Sequence, residues 1–535
     1  MSAQLQGYDF DWIVVGSGFG GSVAALRLAE KGYRVAVLEA GRRYQDDDFA
    51  KTAWNVRGTF WAPKLGLLGP SRMAIFKDIF IASGAGVGGG SLIYANTLYR
   101  AKPSFFMHSQ WSALKDWNAT LKPHYETAER MLGIQQVPWD SDGQQLLKKM
   151  GQHFNVQDSF TRTSCAVFFG TPGVQVPDPY FNGEGPTRTG CTRCGSCMLG
   201  CRVGAKNTLV KNYLWFAERA GAEVLSETQV TSISPVDRPD GQDGYLVNVC
   251  RSTSWLGGDK RVLRAKGVIV SAGALGTNDL LARCQLNGQL PRLSKRLGQL
   301  VRTNSESILA VTLPDDNLKT GHDVAISASI HINQDTHIEF VTYGDRGNAM
   351  RYLFTLLTPD GTRWSRPLKL LGQLLRHPIK ALKALSPIKW SQRTVVFLVM
   401  QSIDNAMSFK ARKGLFGRVR LQTQQDPHSP NPTFIAEGYE AAKWLAEHTG
   451  GLAQSMVPEA LLNTPTTAHI LGGAVIGADA ASGVVDVDGR VFGYQNLIVC
   501  DGSIMPANPG VNPSLTITAL AEHIMSSVPR AEHQR

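Results

Sequence analysis

A glycine motif near the start of the chain, Gly16-x-Gly18-x-x-Gly21, constrains the fold more than any other feature of the sequence. It follows a short apolar run at 11–15 and precedes small and apolar residues at helical spacing over 22–30. In such a strand-turn-helix the first glycine permits a tight turn, and the second lets the backbone approach a pyrophosphate. The third lets the helix pack on the strand. The motif therefore predicts a dinucleotide-binding unit with a phosphate at the positive end of the helix.

Further apolar runs predict the rest of a parallel sheet. The run at 34–38 ends at Glu39, where a carboxylate would accept hydrogen bonds from ribose hydroxyls. Comparable runs lie at 267–274 and 497–502. Because these strands are separated by hundreds of residues, the sheet must be assembled from distant segments, with a second domain between them. In that second domain, β-branched runs predict an antiparallel sheet, and they cover residues 325–332, 337–342 and 394–400.

A second glycine-rich run identifies the cofactor. Residues 83–96 resemble the flavin-contacting loop of glucose-methanol-choline (GMC) oxidoreductases. The segments 469–473, 501–503 and 510–516 look like the C-terminal part of that family, and the resemblance extends through 271–275. Within the family the chain most resembles the bacterial cholesterol oxidase-like branch, and it is also similar to long-chain alcohol oxidases.

The resemblance implies an α/β fold, in which a Rossmann-like FAD-binding domain is interleaved with an α+β substrate domain built on an antiparallel sheet. The 535 residues are enough for two such domains. We expect the FAD-binding domain to comprise residues 1–100, 206–300 and 460–535. The substrate domain would comprise 101–205 and 301–459.

The resemblance also implies which residues contact FAD. The main chain around Val230 would meet the adenine, and Asn512 and Pro513 would approach the pyrimidine side of the flavin. Backbone amides at a helix start can stabilise the negative charge of reduced flavin there. The full set is Gly16, Gly18, Phe19, Gly21, Glu39, Gly86, Gly89, Gly90, Ser91, Asn96, Val230, Ala272, Asp501, Gly502, Asn512 and Pro513.

Two side chains match the family's catalytic positions. His469 would accept the hydroxyl proton while hydride leaves the alcohol carbon for flavin N5, a task that suits a histidine with a pKa near neutrality. Asn512 would hold the substrate oxygen. Cholesterol oxidases also use an acidic residue to isomerise the steroid double bond, and Glu339 is one candidate. A carboxylate on a strand can equally be part of a solvated face.

The implied reaction is oxidation of a lipophilic alcohol. A 3-hydroxysteroid or terpenoid is preferred as the substrate over a long-chain alcohol, and the electrons would pass to oxygen, an acceptor protein or a quinone. The alternatives are a non-redox or light-driven flavoenzyme of the same family, a lyase or decarboxylase, and a flavin electron-transfer protein.

Four of the eight cysteines of this chain cluster in one short segment. Cys191, Cys194, Cys197 and Cys201 reproduce the spacing of a bacterial ferredoxin loop, which holds an iron-sulfur cluster. Arg202 stands where proline commonly follows, and the last cysteine of a ferredoxin loop serves a different cluster. A four-iron cluster would therefore need another thiolate, such as Cys165, unless Cys201 completes it, whereas a three-iron cluster needs only three. Structural thiols and a zinc site remain as alternatives.

The chain has a formal net charge of +11, and one stretch, 361–403, carries eight Lys or Arg residues. This stretch contains no Asp or Glu and alternates Lys or Arg with leucine and tryptophan. It can lie in the headgroup region of an anionic bilayer, or it can form surface helices whose leucines pack on the substrate domain. No recognised nucleic-acid-binding signature accompanies the charge, so we expect no nucleic-acid partner.

The N-terminal residues 1–11 lack the basic start, apolar stretch and cleavage site of a secretory signal. The sequence also contains no uninterrupted apolar run of membrane-spanning length. We therefore expect a cytoplasmic protein, which would contact the inner face of the membrane if the basic stretch binds lipid.

Overall fold

The structure is a computed structural model that describes residues 7–255, 258–315, 317–414 and 419–532. Residues 1–6 of the N-terminal segment lie outside the described residues. The apolar run before the glycine motif forms the strand Phe10–Val15, at the centre of a parallel sheet. Val35–Leu38 pairs with it on one side and Arg261–Val270 on the other. Glu223–Leu225 extends the sheet beyond Val35–Leu38, and Leu497–Val499 pairs with the end of Arg261–Val270.

Helices from several segments of the chain share one hydrophobic core with this sheet. Phe19–Glu30, which follows the glycine motif, contacts Tyr213–Arg219 and Ser514–Ser526. Ser514–Ser526 also contacts Trp117–Leu132, a helix within the 101–205 segment that we expected in the substrate domain. A Cβ on Gly21 would lie 2.0 Å from the carbonyl oxygen of Gly16, so only glycine allows the first helix to sit this close.

An antiparallel extension continues from the first half of Arg261–Val270. Tyr245–Arg251 pairs with this strand, and Thr228–Pro235 pairs with Tyr245–Arg251. The helix Gly273–Leu286 follows and contacts Thr228–Pro235. The long strand therefore joins the parallel sheet to a meander that carries Val230.

The substrate domain is built on a seven-stranded antiparallel sheet, as the β-branched runs predicted. Its order is Phe354–Leu356, Leu452–Met456, Ser307–Thr312, Thr394–Gln401, Thr336–Val341, Ile326–His331 and Thr161–Arg162. The helices Asp142–His153 and Ala436–Thr449 pack on one face, where Ile338 and Phe340 belong to the same cluster. Because side chains alternate along a strand, Glu339 points to the opposite face.

Smaller sheets connect the two domains. Gln299–Thr303 pairs with Ile470–Gly473 and with Met407–Lys413, which in turn pairs with Val419–Gln425. A second small sheet joins Ser71–Ile75, Phe80–Gly84 and Thr466–Thr467. The short helices are Val56–Thr59, Pro103–Phe106, Val457–Leu462 and Trp390–Arg393.

The basic stretch forms two helices, Ser365–Arg376 and Pro378–Leu385. Only Leu370 and Ala384 are buried apolar residues of these helices, and they pack in a small cluster with Leu356 and Ala460. Most of the other leucines are exposed. No helix in the described part of the chain is long and apolar enough to cross a membrane.

Candidate active site

The glycine motif forms a phosphate cradle at the carboxyl end of the central strand. Gly16 has a φ of +98°, and a Cβ there would lie 2.3 Å from the carbonyl oxygen of Ser271. Gly18 faces open space, since a Cβ on it would meet nothing within 4 Å. The helix Phe19–Glu30 starts at the next residue, without a side-chain cap on its first amides. The backbone of this chain therefore fits a pyrophosphate, because those amides are free to donate to it.

Glu39 is buried beside this cradle. Its Oε2 accepts hydrogen bonds from the backbone N and the Oγ of Ser17, at 3.1 and 2.6 Å, and its Oε1 accepts from Gly41 N at 2.8 Å. The carbonyl of Glu39 accepts from Thr228 N at 2.8 Å, which brings the strand carrying Val230 alongside. The residues predicted for the ribose and the adenine thus lie at the same edge of the sheet.

The second glycine loop lies directly on the first. A Cβ on Gly89 would be 2.7 Å from the Cα of Gly18, and Gly88 N donates to the Oγ of Ser17 at 3.0 Å. Ser91 holds the loop by donating from its Oγ to the Gly88 carbonyl at 2.6 Å. The structure therefore stacks the predicted residues Gly86, Gly89, Gly90 and Ser91 on the phosphate turn, and it buries Asn96 at the end of the loop with a φ of 68°.

Asp501 closes the other side of the cofactor region. Its two carboxylate oxygens accept from the Oγ1 of Thr277 at 2.5 Å and from Ser503 N at 2.8 Å. Burial raises the pKa of Asp501. Thr277 Oγ1 accepts in turn from Ala272 N at 3.1 Å, so Ala272 and Asp501 are held together. Gly502 follows Asp501, and Asn512 and Pro513 directly precede the helix Ser514–Ser526.

His469 lies between the short strands Thr466–Thr467 and Ile470–Gly473. Its Nδ1 is 2.8 Å from the Oε1 of Glu306, a carboxyl group with no exposed side-chain surface. Glu306 also accepts from the Oγ1 of Thr467 at 2.7 Å and from Ala468 N at 2.8 Å. Because an ionised carboxylate can only accept, Nδ1 carries a proton and Nε2 remains for a substrate. Glu306 thus fixes the ring and its tautomer.

The charge of Glu306 also sets the proton affinity of His469. Burial alone would lower the pKa of His469, but the attraction and hydrogen bond of Glu306 raise it above its usual value. The imidazole is therefore a stronger base than its burial would allow, and any positive charge that it gains is stabilised by the neighbouring carboxylate.

Asn512 and Glu339 form the other half of the site. Asn512 Nδ2 donates to Glu339 Oε2 at 3.2 Å, and Glu339 is close enough to His469 for an electrostatic interaction. Burial raises the pKa of Glu339 to about 7. Glu339 Oε1 and Asn512 Oδ1 are both buried and lack hydrogen-bond partners among the described residues. Two unpaired polar atoms beside a histidine suit a site that receives a polar group from outside.

The sequence analysis did not find Glu306. It lies between two serines immediately before a β-branched run, and this local pattern does not point to chemistry. Lys206 was missed too, although its amine is buried and donates to the carbonyls of Leu92 and Tyr94 at 3.1 and 2.7 Å. The same amine also donates to Cys197 O at 3.0 Å, so it links the segment of Leu92 and Tyr94 to one of the four clustered cysteines.

Comparison with known proteins adds independent information. Sequence profiles described as GMC oxidoreductase match residues 182–299 and 417–521, and a profile described as an FAD binding domain matches 11–86. A cholesterol oxidase of Mycobacterium tuberculosis (strain ATCC 25618 / H37Rv) is 48% identical, with 97% of this chain and 91% of the relative covered. A cholesterol oxidase of Acinetobacter baumannii is 42% identical, with 99% of this chain and 96% of the relative covered.

Among solved structures, the pyridoxine 4-oxidase from Mesorbium loti superimposes with a TM-score of 0.63. The superposition covers 98% of this chain and 100% of the oxidase, at 15% sequence identity. At that identity the likeness concerns the fold alone, and it agrees with the predicted combination of an FAD-binding domain and a substrate domain.

Proposed function

The chain belongs to the GMC oxidoreductase family, and on that basis we propose that it is an FAD-dependent oxidoreductase that converts a 3-hydroxysteroid to the ketone. The names of the two full-length relatives support a sterol as the substrate and oxygen as the electron acceptor. The observation that carries the proposal is the His469–Glu306 pair, in which the carboxyl group is fully buried, together with the neighbouring Asn512–Glu339 pair.

In this proposal His469 Nε2 takes the proton of the substrate hydroxyl, while Glu306 stabilises the positive charge that the ring gains. FAD supplies the hydride-accepting N5 atom when it is bound. One N–H of the Asn512 amide is used by Glu339, and its second N–H is available to hold the substrate oxygen. These contacts orient the carbinol carbon and make the hydroxyl more acidic.

A second step is favoured by one specific observation. Glu339 is buried, has its pKa raised to about 7, and presents Oε1 without a partner among the described residues. A carboxyl group that changes protonation near neutral pH can take a proton from one carbon of a 5-en-3-one and return it to another. We assign Glu339 this isomerase role on a sterol with a 5,6 double bond.

The oxidation is tested by anaerobic titration of the purified protein with a panel of sterols and aliphatic alcohols, followed by flavin absorbance. We expect 3-hydroxysterols to bleach the oxidised flavin bands. His469→Ala should retain flavin and slow its reduction by roughly 10²-fold or more, the lower part of the usual general-base contribution. His428→Ala, at an exposed loop position, is the matched control.

Two outcomes would contradict the proposal. Absence of bleaching by every alcohol would support the non-redox or light-driven alternatives or a flavin electron-transfer role. Near-normal flavin reduction in His469→Ala would remove that residue from the mechanism, whatever the substrate.

We also propose that the two basic helices contact an anionic membrane surface, where a sterol resides. Eight apolar side chains of this segment are between 51% and 83% exposed: Trp364, Leu368, Leu371, Leu375, Ile379, Leu382, Leu385 and Ile388. Exposed Lys369, Arg376, Lys380 and Lys383 accompany them. Exposed leucines with interspersed lysines are typical of helices that lie in the headgroup region. The proposed location is the inner face of the cytoplasmic membrane, where anionic lipids are concentrated.

Vesicle sedimentation tests this contact. The protein should bind vesicles containing phosphatidylserine, and the triple substitution Leu368→Ser, Leu375→Ser and Leu382→Ser should release it while the flavin spectrum stays the same. The control is Val262→Ser, which removes an apolar side chain that is 56% exposed elsewhere on the surface. Equal binding of the triple variant and the wild type would refute the contact.

A further inference from the structure

The four clustered cysteines surround one cavity. Cys191, Cys194, Cys197 and Cys201 all line it, and it is partly open to solvent. The loop curves around this space because Arg193, Gly195 and Gly200 take left-handed conformations, with φ values of 59°, 69° and 88°. The spacing in sequence therefore corresponds to a shared site in space.

The cavity indicates that Cys201, and not Cys165, is the fourth cysteine of the site. Cys201 lines it together with the other three cysteines, although Arg202 follows where a proline is common. Arg202 donates to the carbonyls of Asp47 and Phe49, and it does not line the cavity. Cys165, the alternative ligand, instead directs its thiol to the carbonyl of Ile326 at 3.5 Å.

The arrangement fits neither disulfides nor a single zinc ion. All of them are free thiols, so they do not form disulfides. No group of three or more His, Cys, Asp or Glu residues in the described ranges is placed to hold a single metal ion. A tetrahedral zinc site would require sulfurs only about 3.8 Å apart, as follows from a Zn–S bond of about 2.3 Å. Sulfurs around a common cavity suit a larger, multinuclear group.

Cationic groups lie beside the cysteines, although the carboxylate of Asp323 lines the cavity as well. The amine of Lys206 is buried and interacts electrostatically with Cys197 and Cys201, and the guanidinium of Arg346 does so with Cys194 and Cys201. The backbone N of Arg193 donates to the sulfur of Cys191 at 3.4 Å. Four thiolates outweigh the positive charge of an iron-sulfur core, and N–H donors to the sulfurs are a recognised means of tuning such clusters.

We propose that Cys191, Cys194, Cys197 and Cys201 bind one iron-sulfur cluster. The site is separate from the catalytic residues but close to the flavin loop. Lys206 joins them, since its amine donates both to Cys197 O and to the carbonyls of Leu92 and Tyr94. The proposal concerns the cluster itself and does not depend on which alcohol the protein oxidises.

The test is metal and sulfide analysis of the full chain, purified anaerobically and also reconstituted with ferrous iron and sulfide. We expect roughly four irons and four acid-labile sulfides per chain, a broad absorbance beneath the flavin bands, and an electron paramagnetic resonance signal after reduction with dithionite. Cys194→Ser should lose most of the iron and the resonance signal. Cys250→Ser, on the strand Tyr245–Arg251, is the matched control and should keep both.

FAD content is measured in every variant, so that loss of the cluster is distinguished from loss of the fold. About one zinc per chain without sulfide would overturn the proposal, and so would wild-type protein that stays free of iron after reconstitution. A Cys194→Ser variant with a full complement of iron would also overturn it. If that variant does not fold, the iron and sulfide content of the wild type decides.

Discussion

Glu306→Gln separates the electrostatic role of Glu306 from its size. The carboxylate accepts from three donors, Thr467 Oγ1, Ala468 N and His469 Nδ1, at 2.7 to 2.8 Å. An amide of the same shape has only one acceptor atom, so it cannot satisfy all three. It also lacks the negative charge that would stabilise protonated His469. A hydrogen bond to a charged group contributes about 1.5–3 kcal/mol. At about 1.4 kcal/mol per decade, flavin reduction by substrate should slow by about 10- to 150-fold.

The pH dependence gives a second, independent readout. The base works when it is deprotonated, so the rate falls as the pH drops through the pKa of His469. Glu306 raises that pKa, whereas burial lowers it. Without the carboxylate, the acidic limb of the pH–rate profile should therefore move to lower pH. The expected shift is about one to two pH units, which corresponds to the free energy of about 1.5–3 kcal/mol used above.

The assay is stopped-flow flavin reduction under anaerobic conditions from pH 5 to 9. Glu459→Gln is the matched control, because Glu459 is also buried and accepts from Ser307 Oγ and Ile308 N, both at 2.9 Å, at the start of the strand that follows Glu306. It should leave the acidic limb in place. If Glu306→Gln changed neither the maximum rate of flavin reduction nor the acidic limb of its pH profile, the role that we derive for this carboxylate would be refuted.

Three further substitutions test other parts of the site. Glu39→Ala should weaken FAD binding by at least about 10-fold, because the buried Ser17 and Gly41 donors lose their acceptor, and equilibrium titration of apoprotein with FAD measures this. Asn512→Ala should slow flavin reduction by about 10- to 100-fold, since the donor to the substrate oxygen is lost, and a normal single-turnover rate would contradict it. Glu339→Gln should slow conversion of a 5-en-3-one far more than it slows flavin reduction, and chromatography should show that the unconjugated ketone accumulates. Equal slowing of both steps would argue against an isomerase role.

The sequence predicted the cofactor cradle because glycine spacing is a local property. The turn at Gly16 and the close approach of Gly21 require residues without a side chain wherever such a strand-turn-helix forms. The importance of Glu306 depends instead on a contact with His469, 163 residues away in the chain, so no local pattern carried it. Cys201 shows an intermediate case, in which spacing predicted a shared site but only the three-dimensional structure places its side chain at the same cavity as the other three.

The basic stretch shows that composition does not predict which residues of a segment are exposed. Composition predicted an apolar and cationic segment, but it could not indicate which residues are covered. Arg366 is 1% exposed and donates to Thr433 O and to the side chain of Asn463, so it does not belong to the surface group. Leu370 and Trp390 are buried as well. Which leucines remain exposed depends on packing against elements that lie far away in the sequence.

The order of strands in the parallel sheet bears on how the protein is made. Phe10–Val15 emerges first from the ribosome, but its neighbour Arg261–Val270 comes much later, and Leu497–Val499 comes last. At about 5–20 residues per second, Leu497–Val499 emerges on the order of tens of seconds after Phe10–Val15. The glycine turn also rests on the late segment, since a Cβ on Gly20 would lie 1.7 Å from the carbonyl oxygen of Cys500. Phe10–Val15 can pair early with Val35–Leu38, but the FAD cradle is completed only after the segment around Cys500 has been made, and until then Arg261–Val270 lacks its partner Leu497–Val499.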